Sequence, residues 1–227
     1  MKKLLSIIPA VICFAGISVW QFFSDNPNHY LMAASVIIVS LIPFFISFEK
    51  SKPSAKEISL IASLIAIAVV SRAAFYLIPQ VKPIGAVVAV SGVCLGGKRG
   101  YFVGAMSAFV SDFIFGQGIW TPFQMVALGT VGLISGLVFS KIRAKRLSLS
   151  IIGFVLTFII YGLIVDSCSV IMLSSDFSLK SALAVYAAGI PFGLVFGITT
   201  FVFLFLFGEA FVKKINRIIV KYGIIKE

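Results

Sequence analysis

Residues 182–207 read ALAVYAAGIPFGLVFGITTFVFLFLF, a run without one charged side chain. An apolar run of about 18 or more residues spans a bilayer as a helix, because lipid offers no partner for an unpaired backbone N–H or C=O. Such runs recur along a chain that is 60% hydrophobic and 12% charged. The short alternating strands of a transmembrane barrel are not seen. The sequence therefore predicts an all-α, polytopic membrane protein.

The apolar runs predict eight membrane-spanning helices. We expect a two-helix hairpin at 1–48, a six-helix core at 57–207 and a basic amphipathic tail at 208–227. The first span resembles a secretory signal peptide. However, Trp20–Phe23 lacks the small residues of a cleavage site, which favours a helix that stays in the mature protein. The fourth and fifth spans are short and could instead form one re-entrant hairpin. The predicted spans are 4–23, 30–48, 57–77, 83–97, 100–115, 120–140, 149–173 and 182–207.

The charged residues predict the orientation of these spans. The chain has 19 Lys and Arg against 8 Asp and Glu, a net charge of +11. If both termini are on the inner side, every basic residue except Arg72, Lys82 and Lys180 falls in an inner segment. The positive-inside rule then predicts a bacterial inner-membrane protein with both termini in the cytoplasm. We attribute the net charge to this topology and to anionic lipid headgroups, not to nucleic-acid binding.

The tail at 208–227 has the pattern of an amphipathic helix. This pattern predicts a helix lying at the inner headgroups, and the alternative is a docking surface for a cytoplasmic partner. The apolar positions are Phe211, Val212, Ile215, Ile218, Ile219 and Tyr222, against Lys213, Lys214, Arg217 and Lys221.

Residues that could support catalysis are scarce. His29 is the single histidine, and Cys13, Cys94 and Cys168 fall in separate spans without CxxC spacing. Residues 92–99 fit the pattern GxxxxGK, but Arg99 stands where a phosphate loop needs Ser or Thr for magnesium. We therefore expect no enzymatic activity, no metal site and no cofactor.

Polar residues instead gather at the outer ends of several spans. Ionisable side chains are costly in lipid, so those retained usually face a cavity or a partner. Individually, Arg72 and Asp112 could snorkel to water, or pair with each other and hold helices together. As a set they favour an outward-facing solute pocket. The candidate binding residues are Arg72, Lys82, Asp112, Gln117, Trp120, Thr121, Gln124, Asp166 and Tyr186.

Small residues recur at every fourth position in four of the spans. This spacing lets helix backbones approach closely, so most of these ladders should pack the helices against one another. The pattern alone does not identify a ladder that faces another protein. The ladders include Ser59 with Ser63, Ala62 with Ala66, Gly100 with Gly104, Gly132 with Gly136, and Gly189 with Gly193 and Gly197.

Residues 111–125, SDFIFGQGIWTPFQM, carry a longer motif. With Lys82-Pro83, Gly96-Gly97 and Gly100-x3-Gly104, it resembles the substrate-binding (S) components of energy-coupling factor (ECF) transporters. The similarity is greatest to cobalamin-type members, whose pattern is near SNFFFGQGPWTPWQM. This chain differs at Asp112, Ile119 and Phe123. The resemblance covers residues 57–207 and leaves out the first two spans.

The resemblance implies a six-helix protein that captures a vitamin from the outer side. Such a protein works with a transmembrane coupling protein and two cytoplasmic ATPases. Small residues on the first core helix contact the coupling protein, which here implies Ser59, Ala62, Ser63 and Ala66. The leading ligand is cobalamin or a related corrinoid, with a queuosine-related base or another micronutrient as alternatives. A stand-alone carrier or channel is the alternative from a different class.

Overall fold

The computed structural model describes residues 53–173 and 179–224. The predicted hairpin at 1–48 lies outside these residues, as do His29 and Cys13. All regular elements in the described ranges are helical, which confirms the predicted all-α fold. Within residues 53–173 and 179–224, three helices are long and apolar enough to cross a membrane, namely Trp120–Phe139, Arg146–Val170 and Leu179–Tyr222, and the shorter Ile84–Leu95 is also apolar.

Each of the six predicted core spans corresponds to helical structure. The helices are α1 (Ala55–Ala73), α2 (Ile84–Leu95), α3 (Gly97–Phe115), α4 (Trp120–Phe139), α5 (Arg146–Val155), α6 (Gly162–Leu173), α7 (Leu179–Phe203) and α8 (Glu209–Tyr222). A π-helical stretch, Leu156–Tyr161, joins α5 to α6, and a second, Leu204–Gly208, joins α7 to α8.

The boundaries differ from the prediction in three places. Helix α1 ends at Ala73, before residue 77, and the chain then turns repeatedly until α2 begins. Gly96 alone separates α2 from α3, and its φ of 84° lies in the left-handed region that glycine tolerates. The boundary predicted between the last span and the tail, at 207/208, does not interrupt the helix, which runs from Leu179 to Tyr222 and includes Leu204–Gly208.

Helix α4 is central and packs closely against α2 and α3. A Cβ atom at Gly100 would lie 2.6 Å from the carbonyl oxygen of Gly132, and one at Gly136 would lie 2.7 Å from that of Gly92. Only glycine leaves room for backbones this close. The ladders on α3 and α4 therefore pack helices within the protein.

The basic segments meet at one end of the bundle. The Lys56 ammonium donates a hydrogen bond to the carbonyl oxygen of Tyr222 at 3.3 Å. Arg99 Nε lies 2.5 Å from Glu57 Oε1. Arg146 stacks over the ring of Phe205 at 5.2 Å. These contacts join the start of α1 to the start of α3 and to the end of α8, and the start of α5 to the second π-helical stretch.

Candidate functional site

A buried ion pair joins α1 to α3 at the opposite end of the bundle. Arg72 Nη1 lies 2.8 Å from Asp112 Oδ1, and the two residues are 5% and 0% exposed. The same guanidinium nitrogen donates to the hydroxyl of Ser111. These residues occupy the last turns of their helices, so the pair links the two helix ends.

Aromatic rings cover one side of this ion pair. The guanidinium of Arg72 lies 4.2 Å from the ring centroid of Phe115, close enough for a cation–π interaction. The ring of Tyr76 in turn lies 5.1 Å from that of Phe115. The sequence motif includes Phe115, but its contact with the arginine was not expected, because Phe115 follows Asp112 by three residues and only the helix geometry places both near α1.

Lys82 is a second cation beside the pair. It lies half-buried in the segment between α1 and α2 and interacts electrostatically with Arg72 and Asp112. The pKa of Lys82 is lowered to about 8, first by burial and then by the charge of Arg72, and Asp112 partly opposes this shift. In the same segment, Gln80 has a φ of 59°, a left-handed conformation that is uncommon outside glycine.

The segment between α3 and α4 carries the motif found in the sequence. The hydroxyl of Thr121 accepts a hydrogen bond from the backbone N–H of Gly118, which fastens the start of α4 to this segment. A Cβ atom at Gly118 would lie 2.5 Å from Cζ2 of Trp120, so the indole rests directly on the glycine. Trp120 remains 39% exposed and presents apolar area at this end of the bundle. Gln117, which follows α3, instead donates its amide N–H to the Phe109 carbonyl of that helix.

Three buried polar atoms at this end have no hydrogen-bond partner among the described residues. They are Arg72 Nε, Asp112 Oδ2 and Gln124 Oε1. A buried donor or acceptor left unpaired costs on the order of 1–3 kcal/mol. Such atoms are therefore candidates for contacts that a bound molecule completes.

The remaining two candidates line a separate cleft between α6 and α7. The Asp166 carboxylate packs against the backbone of Gly189. The hydroxyls of Ser167 and Tyr186 are hydrogen-bonded at 2.9 Å. The cleft has a volume of about 400 Å³ and is otherwise largely apolar. Tyr161 packs edge-on against Phe196 at 4.7 Å and lies within electrostatic range of Arg72, Asp112 and Asp166.

The structure thus brings the predicted residues to one end of the bundle in two groups. Arg72, Lys82 and Asp112 form one cluster, with Trp120, Thr121 and Gln124 at the start of the neighbouring α4. Asp166 and Tyr186 form the other group. The sequence analysis missed Tyr161, which lies in a π-helical stretch that apolar periodicity does not reveal.

The small residues predicted to contact a coupling protein form an exposed strip on α1. Ser59, Ala62, Ser63 and Ala66 are all exposed, unlike the glycines of the α3 and α4 ladders. On α7, Gly193 and Gly197 pack against Phe158 and Phe154 of the preceding helix. Among these ladders, the one on α1 is therefore the ladder that the described residues leave open.

A groove of about 760 Å³ runs beside this strip, between α1 and α8. Ser59 and Ser63 line one wall, and Phe211, Ile215 and Ile218 line the other. Part of the apolar face of the tail is thus turned towards α1, and not only towards lipid.

Comparison with known protein families matches residues 52–213 to the family described as the ECF-type riboflavin transporter, S component. The chain belongs to this family. No curated protein and no solved structure matches the chain significantly. The match includes α1 through α7 and the first residues of α8.

Membership makes this S component the substrate-specific membrane subunit of an ECF transporter, which works with an ECF module and binds a small molecule. The family is a transporter class and not an enzyme class. The resemblance seen in the sequence is therefore confirmed at the level of the S component. The family description names riboflavin, so the cobalamin-type specificity is not confirmed.

Proposed function

We propose that this S component captures a flavin of the riboflavin type at the end of the bundle that holds Arg72 and Asp112. The observation that carries the proposal is the buried ion pair with unpartnered atoms on both members. Tyr76 and Trp120 are exposed aromatic residues at the same end of the bundle. The family description supports a flavin over other vitamins.

The chemistry of a flavin fits the groups present. Its planar ring system needs broad apolar contact, which Trp120 and Tyr76 offer because both remain exposed. The ring edge carries donors and acceptors that complement Gln124 Oε1, near Trp120 at the start of α4. The hydroxyl-bearing side chain would find polar partners in Arg72 Nε and Asp112 Oδ2. Thr121 acts indirectly, by holding the start of α4 in place.

Cobalamin or a related corrinoid is the second candidate. The motif at 111–125 supports it through its similarity to the cobalamin-type pattern. The size of a corrinoid argues against it. Ligand pockets usually enclose most of the ligand surface, and a corrinoid is several times larger than the 400 Å³ cleft.

The orientation follows from the charges at the two ends of the bundle. The end that gathers Lys56, Arg99, Arg146 and α8 is strongly basic, so we place it in the cytoplasm of a bacterial cell. The ion pair then lies at the outer side, where a vitamin arrives. In this arrangement both termini are cytoplasmic and the 1–48 hairpin precedes the core as two further spans.

The exposed strip on α1 is the proposed contact with the transmembrane coupling protein, which in turn carries two cytoplasmic ATPases. Small side chains at every fourth position allow another helix to approach its backbone closely. The three other ladders are occupied by contacts within the bundle. The coupling residues are therefore Ser59, Ala62, Ser63 and Ala66.

Ligand identification tests the proposal directly. The full-length protein is purified in mild detergent, and the small molecules it retains are identified by mass spectrometry. Quenching of flavin fluorescence on titration with the protein then measures affinity, with a corrinoid as competitor. A retained flavin that binds in a 1:1 ratio supports the proposal, whereas a retained corrinoid with no flavin binding overturns the flavin assignment.

A further inference from the structure

The cluster around Arg72 carries more positive than negative charge. Arg72 and Lys82 are cationic, and Asp112 is the carboxylate with which both interact. Asp112 forms its ion pair with Arg72. In residues 53–173 and 179–224 the other two ion pairs join Arg99 to Glu57 and Lys213 to Glu209, both near the basic end.

Lys82 is therefore a half-buried cation without a carboxylate within ion-pair distance in the described part of the chain. Its position beside a buried arginine is unfavourable, because like charges repel strongly where water is scarce. The arginine also has its unpartnered Nε, which can only donate a hydrogen bond. An anion placed between the two cations would balance the charge and satisfy that donor.

We propose that Lys82 and Arg72 form a subsite for a negatively charged group of the transported molecule, of the phosphate or carboxylate type. The inference rests on the proposed function, since it concerns the same outer site. It means that the protein binds an anionic form of its substrate more tightly than the uncharged form. Lys82 provides the point charge, and Arg72, fixed by Asp112 and Phe115, provides a directed donor.

A pair of flavins that differ only in a phosphate tests this preference. The full-length protein is placed in nanodiscs of neutral phosphatidylcholine and titrated with riboflavin and with riboflavin 5′-phosphate at low salt. A charge-assisted hydrogen bond strengthens binding by roughly tenfold or more, so the phosphate form should bind about tenfold more tightly. Lys82→Gln should abolish this difference, because it weakens binding of the phosphate form far more than binding of riboflavin.

Lys180→Gln is the matched control, because Lys180 is exposed and lies outside the cluster. It should retain the preference for the phosphate form. Equal affinity of the wild type for the two flavins overturns the inference, and so does an equal loss of both affinities in Lys82→Gln.

A second measurement does not depend on flavin binding. Inorganic phosphate, in neutral nanodiscs, should raise the thermal unfolding temperature of the wild type and of Lys180→Gln, but not of Lys82→Gln. Failure of both flavins to bind contradicts the flavin assignment, while failure of phosphate to stabilise the wild type contradicts the anion subsite. If anionic phospholipid stabilises the wild type through Lys82 and free phosphate does not, the cation serves a lipid headgroup and the inference is wrong.

Discussion

Arg72 of α1 and Asp112 of α3 lie 2.8 Å apart, and neither residue is more than 5% exposed. Forty positions separate them in the chain, yet each is the buried partner that the other requires. Asp112 stands where the cobalamin-type pattern has an asparagine. The negative charge that distinguishes this chain from that pattern is therefore the charge that pairs with Arg72.

The first prediction concerns the free energy of unfolding. Arg72→Leu or Asp112→Leu alone should destabilise the protein by about 3–5 kcal/mol, because each leaves an uncompensated buried charge. The double variant should be markedly more stable than the sum of the two losses implies. A double-mutant cycle of thermal unfolding measures this coupling. Additive losses would show that the two residues stabilise the fold separately.

The second prediction concerns ligand affinity. Trp120→Ala removes apolar contact area, and Gln124→Ala removes an unpartnered acceptor. Each should weaken binding about ten- to a hundredfold, the equivalent of roughly 1–3 kcal/mol, without lowering the unfolding temperature appreciably. Ser150→Ala is the control, because Ser150 bonds only to its own helix near the basic end. Unchanged affinity in both variants would mean that the ligand binds elsewhere.

The third prediction concerns coupling. Ala62→Leu combined with Ala66→Leu fills the exposed strip on α1 and should abolish uptake while ligand binding by the isolated S component persists. Val155→Leu is a matched control, because Val155 is also exposed but lies on α5, away from the strip. Cellular uptake and binding to purified protein are measured side by side. Parallel losses of binding and uptake would assign the strip to the stability of the fold.

The fourth prediction concerns pH. The pKa of Lys82 falls from 10.5 to about 8 in the folded protein. Between these values the unfolded chain binds more protons than the folded one, so this lysine makes stability rise as the pH increases from about 8 to 10.5. Lys82→Gln should remove that rise from the pH profile of the unfolding temperature. An unchanged profile would show that the lysine is freely hydrated.

The fifth prediction concerns topology. Single cysteines are introduced at positions 25, 143 and 176 of a cysteine-free variant and treated in intact cells with a membrane-impermeant thiol reagent. Positions 25 and 176 should react and position 143 should not, because the basic 141–146 segment lies inside. Strong labelling at 143, or none at the other two positions, contradicts the eight-span arrangement.

The sequence predicted the six core helices well, because uncharged runs such as 182–207 have few structures available in lipid. It placed helix ends less accurately where turns or π-helical stretches intervene, as at Ala73 and Leu204–Gly208. Long apolar segments contain no periodic signal for these departures. The sequence placed the polar candidate residues at one common level, and the structure has them at one end of the bundle, divided between the ion-pair cluster and the α6–α7 cleft. That division depends on which helices are neighbours, and neighbours are fixed by packing between distant segments.

The glycine contacts among α2, α3 and α4 also limit how the protein can move. The backbones of neighbouring helices are in direct contact at Gly92, Gly100, Gly132 and Gly136. No layer of side chains lies between them, so one helix cannot easily slide past another. These three helices therefore shift together as a rigid block. Any internal rearrangement that accompanies substrate release has to take place where the block meets α1 and the two π-interrupted helices.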